Sequence, residues 1–160
     1  MKLTKKSRYA FRALLSLTFA SKYKSNPCLH LKDIAETEEI PGKFLEHIMS
    51  SLKKGGIVRS QKGKGGGYVL ARNPKEIWLG NVIRLMDGPL VSIGTAEEIK
   101  EVIREGKKDS GLYSILLDVR NAISEILDKS NLEDLYKKTV ELTRVRSQYQ
   151  MYYIWEKIHG

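Results

Sequence analysis

The first regular pattern in the chain is a stripe of apolar residues over positions 3–23. Its members fall three or four residues apart, which is the spacing of one face of an amphipathic helix. Thr4 or Ser7 can cap the first turn, and the Ser25-Asn26-Pro27 run ends the pattern. The stripe consists of Tyr9, Ala10, Ala13, Leu14, Leu17 and Ala20.

Two further helices are predicted before residue 57. A short helix over 31–36 leads through a turn over 37–42 to Pro41, whose fixed φ suits a helix start. The third helix covers 41–54 and ends at Gly55-Gly56, because glycine tolerates the left-handed conformation that follows a helix. Two helices joined by a short turn, the latter with a polar outer face, form a helix-turn-helix. The inward stripe of the third helix is Phe44, Leu45, Ile48, Met49 and Leu52, and its outward face carries Lys43, Glu46, His47, Ser50 and Lys54.

A glycine-rich loop separates two short β-rich runs directly after this helix-turn-helix. The runs are 57–60 and 68–71, and the loop over 61–67 holds Lys62 and Lys64 among four glycines. The pattern predicts a hairpin that forms the wing of a winged helix. Lysines at its tip suit a phosphate backbone or a minor groove. A nucleotide-phosphate cradle needs a Lys-Ser/Thr pair and a helix after the glycines, whereas here a strand follows.

Charge divides the chain into two unequal halves. The 160 residues carry 28 Lys/Arg against 19 Asp/Glu, a formal net charge of +9. Residues 1–75 hold 16 of the cations and 5 of the anions, a net of +11, which leaves residues 76–160 at −2. A basic half of this kind is typical of a protein that binds a polyanion, and its helix-turn-helix indicates double-stranded DNA. A merely soluble basic surface is the alternative.

Composition argues against several other classes of protein. The single cysteine, Cys28, rules out an intrachain disulfide and an all-cysteine metal site within one chain, and the three histidines are scattered. No apolar run approaches the about 18 residues of a membrane span, and no secretory signal follows the basic start. We therefore expect a reduced, cytoplasmic location and no membrane. No nucleophile–base pair or metal set indicates an enzyme, so no catalytic, cofactor or metal site is predicted.

The near-neutral half is predicted to be helical. Asp109-Ser110 can cap a helix over 111–129, and Ser130-Asn131-Leu132-Glu133 is a capping-box pattern that starts another. The apolar stripe of the first helix is broad, so one face is expected to pack on its own domain and another on a second subunit. A self-contained core helix is the alternative. The stripe consists of Leu112, Ile115, Leu116, Val119, Ala122, Ile123, Ile126 and Leu127.

The end of the chain is rich in aromatic residues. Tyr136, Tyr149, Tyr152, Tyr153 and Trp155 all lie within residues 136–160. Leu142, Val145, Tyr149 and Tyr152 recur at helical spacing, which favours an extra helix at a dimer interface, and an aromatic-lined effector pocket is the alternative.

Five stretches in order resemble one family of bacterial regulators, the IscR- and CymR-type transcription regulators of the Rrf-two family. The resemblance extends from residue 1 to about residue 135 without a large gap. It implies a mainly α fold: a winged helix-turn-helix DNA-binding domain over 1–88 with a small β-hairpin wing, a linker over 89–108, and a helical dimerisation region over 109–160. That region is a long dimerisation helix followed by a C-terminal helix. The stretches are Arg8–Leu14, Leu31–Ala35, Phe44–Glu46, Gly65–Arg72 and Ile77–Gly88.

The resemblance also implies which residues contact DNA. In a homodimer on an operator with two half-sites, the third helix would enter the major groove and the wing the neighbouring minor groove. The base-reading positions of the family fall on Lys43, Glu46 and His47. Its wing contacts fall on Arg59, Lys62 and Lys64. The expected DNA-binding set is completed by Lys5, Arg8, Ser50, Gly65 and Gly66.

One departure from the family pattern concerns the cofactor. Iron–sulfur members carry three cysteines after an Asp-Gly pair, which here is Asp87-Gly88. Residues 89–110 contain neither Cys nor His, although clusters need thiolate or imidazole ligands. We therefore expect no iron–sulfur cluster, and we expect Cys28 to be a small buried hydrophobic residue.

The predicted function is a sequence-specific, homodimeric DNA-binding transcriptional regulator, a repressor without a cluster. The alternative is a winged-helix protein-interaction module that acts as a partner-dependent regulator, since a fold alone does not determine function. A regulatory partner protein or a small-molecule effector is left unidentified.

Overall fold

The computed structural model describes residues 1–144 of the chain. This part is mainly helical, with one two-stranded sheet, and none of its helices is long and apolar enough to cross a membrane. The first six helices are α1 (Lys5–Tyr23), α2 (Leu31–Thr37), α3 (Gly42–Lys54), α4 (Leu79–Asp87), α5 (Ala96–Arg104) and α6 (Ser110–Lys129). A further helix, α7, occupies residues 132–144. Strands β1 (Val58–Gln61) and β2 (Gly67–Leu70) lie between α3 and a short 3-10 turn, Pro74–Glu76.

Helix α1 begins at one of its two predicted caps. The Thr4 hydroxyl accepts a hydrogen bond from the Ser7 N–H at 3.3 Å, so Thr4 is the cap and Ser7 is a buried residue of the first turn. A cap of this kind satisfies one of the backbone N–H groups that the first turn of a helix leaves unpaired. The helix ends at Lys24, directly before the predicted breaker run.

The core of the N-terminal half lies between α1, α3 and α4. Leu14 of α1, Leu45 of α3 and Val82 of α4 expose no surface, and burial of each leucine or valine contributes about 1.5–3 kcal/mol. The predicted inward stripe of α3 is buried except for its first member, Phe44. That ring is half-buried and packs edge-on against Tyr9, with ring centroids 5.7 Å apart. The same packing leaves the opposite face of α3 in solvent.

The wing is an antiparallel hairpin that is fastened to the loop between α1 and α2. Its register pairs Val58 with Leu70 and Gln61 with Gly67. Leu29 of the loop and Tyr68 of β2 exchange backbone hydrogen bonds of 3.0 and 2.8 Å. At Gly67 the two backbones come so close that an added Cβ would lie 2.2 Å from the Leu29 carbonyl oxygen. Glycine is therefore required at this position by close approach.

The segment 89–108, predicted to be a linker, contains helix α5. The Thr95 hydroxyl accepts the Glu98 N–H at 3.2 Å, and the Glu98 carboxylate accepts the Thr95 N–H at 2.7 Å, which makes a complete capping box. Ile99 is buried, and α5 packs against α6. Residues 96–104 of the predicted linker are therefore helical, because the cap and the amphipathic run that follows it favour a helix. The domain boundaries remain a prediction.

Helix α6 packs on α4 and α5, and α7 contacts α1. Asp109 occupies the N-cap position of α6 but makes no side-chain capping bond. The box that begins α7 is formed by Asn131 and Asp134, which exchange hydrogen bonds of 3.0 and 3.2 Å, one residue later than predicted. Glu133 instead forms an ion pair with Lys22 of α1 at 2.8 Å. The predicted tail aromatics from Tyr149 onward lie outside the described residues.

We expect Gly67→Ala to destabilise the fold by about 1–3 kcal/mol, because its Cβ would overlap the Leu29 backbone, which cannot move without breaking the contact between the wing and the loop. Thermal unfolding followed by circular dichroism measures this effect. Gly42→Ala is the matched control, because an added Cβ at that helical position meets nothing within 4 Å. The control should be neutral or slightly stabilising. Equal melting temperatures for the two variants would contradict the close-approach interpretation.

Candidate nucleic-acid interface

The outward face of α3 presents a continuous polar surface. Lys43, Glu46, His47 and Ser50 are all exposed, and they lie on the side of the helix opposite its buried leucines. Positions 43, 46, 47 and 50 are three or four residues apart, so their side chains share one face. The structure thus brings together the four residues of α3 that the sequence assigns to DNA contact.

Two long-range contacts hold this helix against the hairpin. Arg72, just after β2, donates to the carbonyl oxygens of Gly56 at 2.9 Å and Gly55 at 3.1 Å, where α3 ends. Lys53 of α3 donates to the Ser60 hydroxyl of β1 at 2.8 Å. The sequence predicted neither contact, because Arg72 lies 16 residues or more from its partners and no local pattern links them. Both contacts fix the angle between α3 and the wing.

The tip of the wing is a tight glycine turn that exposes two lysines. Gly63 and Gly65 have φ of +101° and +86°, which is the region that glycine tolerates best. The Gly66 N–H donates to the Gly63 carbonyl at 2.8 Å. Lys62, directly before this turn, and Lys64, within it, are both exposed, and Arg59 is exposed on β1. Gly65 and Gly66 therefore shape the turn that presents the lysines.

The start of α1 supplies another pair of cations, Lys5 and Arg8, which are both exposed. Thr4 anchors this helix end to α4, because its hydroxyl donates to one oxygen of Asp87 at 2.5 Å and its N–H donates to the other at 3.2 Å. Burial raises the pKa of Asp87, but the hydrogen bonds from Thr4 and the nearby charge of Lys6 outweigh it and leave the pKa below its ordinary value. No sequence pattern predicted this contact, which spans 83 residues.

Two ion pairs neutralise acids elsewhere in the basic half. Arg12 pairs with Glu38 at 3.2 Å, and Lys32 lies 3.8 Å from Glu36. Among residues 1–144, none of the six cations assigned to DNA contact takes part in an ion pair, so their charge is available to an external anion. These cations are Lys5, Arg8, Lys43, Arg59, Lys62 and Lys64.

Comparison with known proteins identifies the family. A family model described as "Rrf2: Iron-dependent Transcriptional regulator" matches residues 3–138, which is most of the chain. This chain belongs to the Rrf2 family. Among Rrf2 relatives, it is 34% identical to the HTH-type transcriptional regulator CymR of Bacillus subtilis (strain 168) over 139 residues, which cover 87% of this chain and 92% of CymR. It is 33% identical to IscR of Pectobacterium atrosepticum, with 84% of this chain and 79% of that protein covered.

Solved structures agree with this assignment. The structure of B. subtilis CymR, described as the global cysteine regulator of that organism, matches with a TM-score of 0.70 at 30% identity and covers 86% of this chain and 98% of CymR. The structure of T. potens IscR matches with a TM-score of 0.63 at 29% identity and covers 87% and 88% of the two chains. The predicted family and the mainly α winged-helix fold are confirmed. The chain is a DNA-binding transcriptional regulator and not an enzyme.

The donor atoms of this Rrf2 chain do not fit an iron–sulfur cluster. The segment after Asp87-Gly88, residues 89–110, offers hydroxyl, carboxylate, cationic and apolar side chains but no thiolate or imidazole. Within residues 1–144, no three His, Cys, Asp or Glu side chains converge as a metal site. The single thiol, Cys28, lies between α1 and α2 and is half-buried rather than buried as predicted, because the loop covers only part of it. The cluster cysteines of the family are thus lacking.

We expect Asp87→Asn to lower the melting temperature at pH 7 by about 2–4 °C, the shift that the loss of about 1 kcal/mol causes in a chain of this size. The folded pKa of Asp87 lies below its ordinary value of 3.8, so the stability that the carboxylate adds is complete above that value. It is lost as the pH falls through the folded pKa. Melting curves from pH 7 to pH 3 should therefore converge for the wild type and the variant.

Glu141→Gln is the control for this pH series, because Glu141 is exposed on α7. It should leave the melting temperature at pH 7 unchanged. A difference between Asp87→Asn and wild type that persists undiminished at pH 3 would show that the carboxylate charge is not what stabilises the contact with Thr4.

Proposed function

We propose that this chain is a homodimeric, sequence-specific repressor that binds an operator with two half-sites and works without an iron–sulfur cluster. The observation that carries the proposal is the exposed polar face of α3, flanked by cations that have no carboxylate partner among the described residues. A helix held rigidly by its buried face, with base-competent side chains on the other, suits the major groove.

Three residues of α3 are proposed to read bases. Lys43 and His47 carry donors that reach acceptors on base edges in the major groove. Glu46 lies between them and is an acid on a surface that approaches phosphates. It either accepts a hydrogen bond from a cytosine amino group or disfavours wrong sequences by charge repulsion, so its role is specificity rather than affinity.

The wing and the start of α1 are proposed to bind the phosphate backbone. Lys62 and Lys64 lie in a turn whose other residues are glycines, which have no side chains to read bases. Arg59, Lys5 and Arg8 extend the same unpaired positive charge beyond the turn. Contacts of this kind position a protein on DNA and carry no direct sequence information.

The proposed dimer rests on one face of α6. Leu112, Ile115, Val119 and Ile126 are 57%, 63%, 47% and 65% exposed. Together with the exposed Ala122 they follow alternating steps of three and four residues, which is the spacing of a helix seam that packs against a second helix. The half-buried side of α6 already packs on α4 and α5. A second copy of the chain would remove the exposed stripe from water and pair two recognition helices.

The dimer prediction is tested on the stripe itself. Light scattering of the wild type at micromolar concentration should give a mass twice that of the chain. Ile126→Glu should lower the measured mass toward that of the monomer and abolish operator binding, because the new charge would be buried at the seam. Asn121→Glu adds the same charge on α6 outside the stripe and should remain dimeric. A monomeric wild type would contradict the operator model, because two half-sites need two recognition helices.

The roles of wing and recognition helix are separable by competition binding. We expect Lys62→Ala with Lys64→Ala to weaken binding to operator and scrambled DNA alike, and to flatten the salt dependence by about one log-slope unit per lost phosphate contact per subunit. His47→Ala should cost about 1–3 kcal/mol on the operator and much less on scrambled DNA. Glu46→Ala should reduce discrimination more than affinity.

The operator for this assay comes from pull-down of genomic fragments and sequencing at near-physiological salt. Lys100→Ala with Lys108→Ala is the matched control, because it removes the same charge from exposed positions in the near-neutral half. The assigned roles are reversed if the wing variant loses operator selectivity while His47→Ala weakens binding to both DNAs equally.

The cluster-free part of the proposal concerns the purified protein. We expect it to be colourless after anaerobic purification and to bind the operator equally well before and after treatment with an iron chelator, because residues 89–110 provide no Cys or His. Ultraviolet–visible spectra and gel-shift titrations measure both properties. A brown protein with charge-transfer absorption would contradict this expectation and would indicate a cluster shared between subunits.

A further inference from the structure

A cavity of about 610 Å³ opens between α4, the loop that follows it and one side of α6. Arg84 and the loop residues Leu90 and Val91 line one wall, and Arg120 and Ser124 of α6 line another. This volume lies within the about 300–1,000 Å³ that small-molecule sites occupy. We call it the Arg120 cavity. It is separate from the polar face of α3 and from the wing.

Two of the three charged groups that line the Arg120 cavity are already engaged. Arg84 forms a two-point ion pair with Asp128, with N–O distances of 2.7 and 2.8 Å. Glu98 accepts the Thr95 N–H at 2.7 Å as part of the α5 capping box. Hydrogen bonds from the backbone and side chain of Thr95 lower the pKa of Glu98, so this carboxylate stays charged.

Arg120 is the cation that remains available. Its side chain is half-buried, and within the described part of the chain it makes no ion pair and no side-chain hydrogen bond. Asp128, two turns further along α6, is taken by Arg84. Ser124 lies one turn from Arg120 on the same wall and adds a hydroxyl donor. A half-buried guanidinium beside a hydroxyl is suited to bind a carboxylate at two points.

The remaining surface of the cavity limits the rest of the ligand. Leu90 is 6% exposed and Val91 is half-buried, so the loop offers an apolar wall. Glu98, which also lines the cavity, would repel a second negative charge. The fitting ligand therefore has one anionic group and a compact apolar body.

We propose that the Arg120 cavity binds a small monocarboxylate effector, with its carboxylate on Arg120 and Ser124 and its apolar body against Leu90 and Val91. The regulatory part of this inference rests on the proposed function. The loop that lines the cavity begins directly after Asp87, which anchors Thr4 at the start of α1 beside Lys5. Helix α6, which carries Arg120, also carries the exposed stripe. A ligand in the cavity thus contacts the loop after α4, which connects to the start of α1, and helix α6, which carries the proposed dimer seam.

The binding step is tested on the full chain without DNA. Ligand-observed fluorine NMR with 4-fluorobenzoate should show line broadening that saturates, and 4-fluorobenzamide, its neutral analogue, should bind at least about tenfold more weakly, because the charge-assisted hydrogen bonds are lost. Arg120→Gln should weaken benzoate binding by a similar factor. Arg104→Gln, an exposed change on α5 outside the cavity lining, should bind as the wild type does.

A second variant keeps the test independent of folding defects. Arg120→Lys retains the charge but not the planar fork, so it should remain folded by circular dichroism and bind benzoate with intermediate affinity. Competition with inorganic phosphate distinguishes a carboxylate site from a general anion site, since displacement of benzoate by millimolar phosphate would overturn the carboxylate assignment. Equal binding of benzoate and benzamide, or wild-type binding by Arg120→Gln, would overturn the site.

The regulatory step has its own readout. Saturating 4-fluorobenzoate should change the operator affinity of the wild type at least about threefold, and it should leave the operator affinity of Arg120→Gln unchanged. Benzoate binding without any change in operator affinity would overturn the regulatory assignment. Failure of the ligand-free wild type to bind any operator would instead count against the proposed function, because the NMR measurement contains no DNA.

Discussion

Burial of one face of α3 is the constraint on which the rest of the proposed DNA-binding surface depends. Leu45, Ile48, Met49 and Leu52 are each fully buried against α1 and the neighbouring elements, so the helix cannot rotate without exposing them to water. The polar side chains on the other face are consequently presented in one arrangement. Contacts from Arg72 and Lys53 then fix the hairpin relative to this helix, which makes α3 and the wing one rigid unit.

Local sequence pattern predicted those parts of the fold that local physics determines. The buried stripe of α3, the Thr4 cap and the glycine turn of the wing follow from spacing, capping and backbone freedom within a few residues. The wing lysines, Lys62 and Lys64, are predicted to contact DNA from the glycine loop itself, whereas Arg59 enters the predicted set only through the family resemblance. That the six cations make no ion pair among residues 1–144 required the structure. Helix α5 was missed although its signals are local, because the segment was interpreted by comparison with family members as a linker.

Other features depend on contacts between distant positions and could not be predicted. Asp87 meets Thr4 across 83 residues, and Leu29 pairs with Tyr68 across the α1–α2 loop and the wing. The box that starts α7 uses Asn131 and Asp134, because Glu133 is drawn into its ion pair with Lys22. A box from Ser130 to Glu133 and a box from Asn131 to Asp134 both satisfy the capping pattern, and tertiary packing decides which of them forms.

Helix α6 packs on α4 and α5 but leaves one apolar face exposed. Its end is tied to α4 by the pair between Arg84 and Asp128, and the next turn joins the core through backbone bonds between 77 and 132 and between 79 and 130, each of 2.9 Å. Yet none of its own residues is fully buried in one chain, and half of its apolar side chains face solvent. An exposed apolar stripe of this kind is typical of a surface that a partner covers, and covering it would stabilise the helix further. A shift of α6 would therefore displace α4, whose Asp87 holds the start of α1. The same shift would move the exposed apolar stripe.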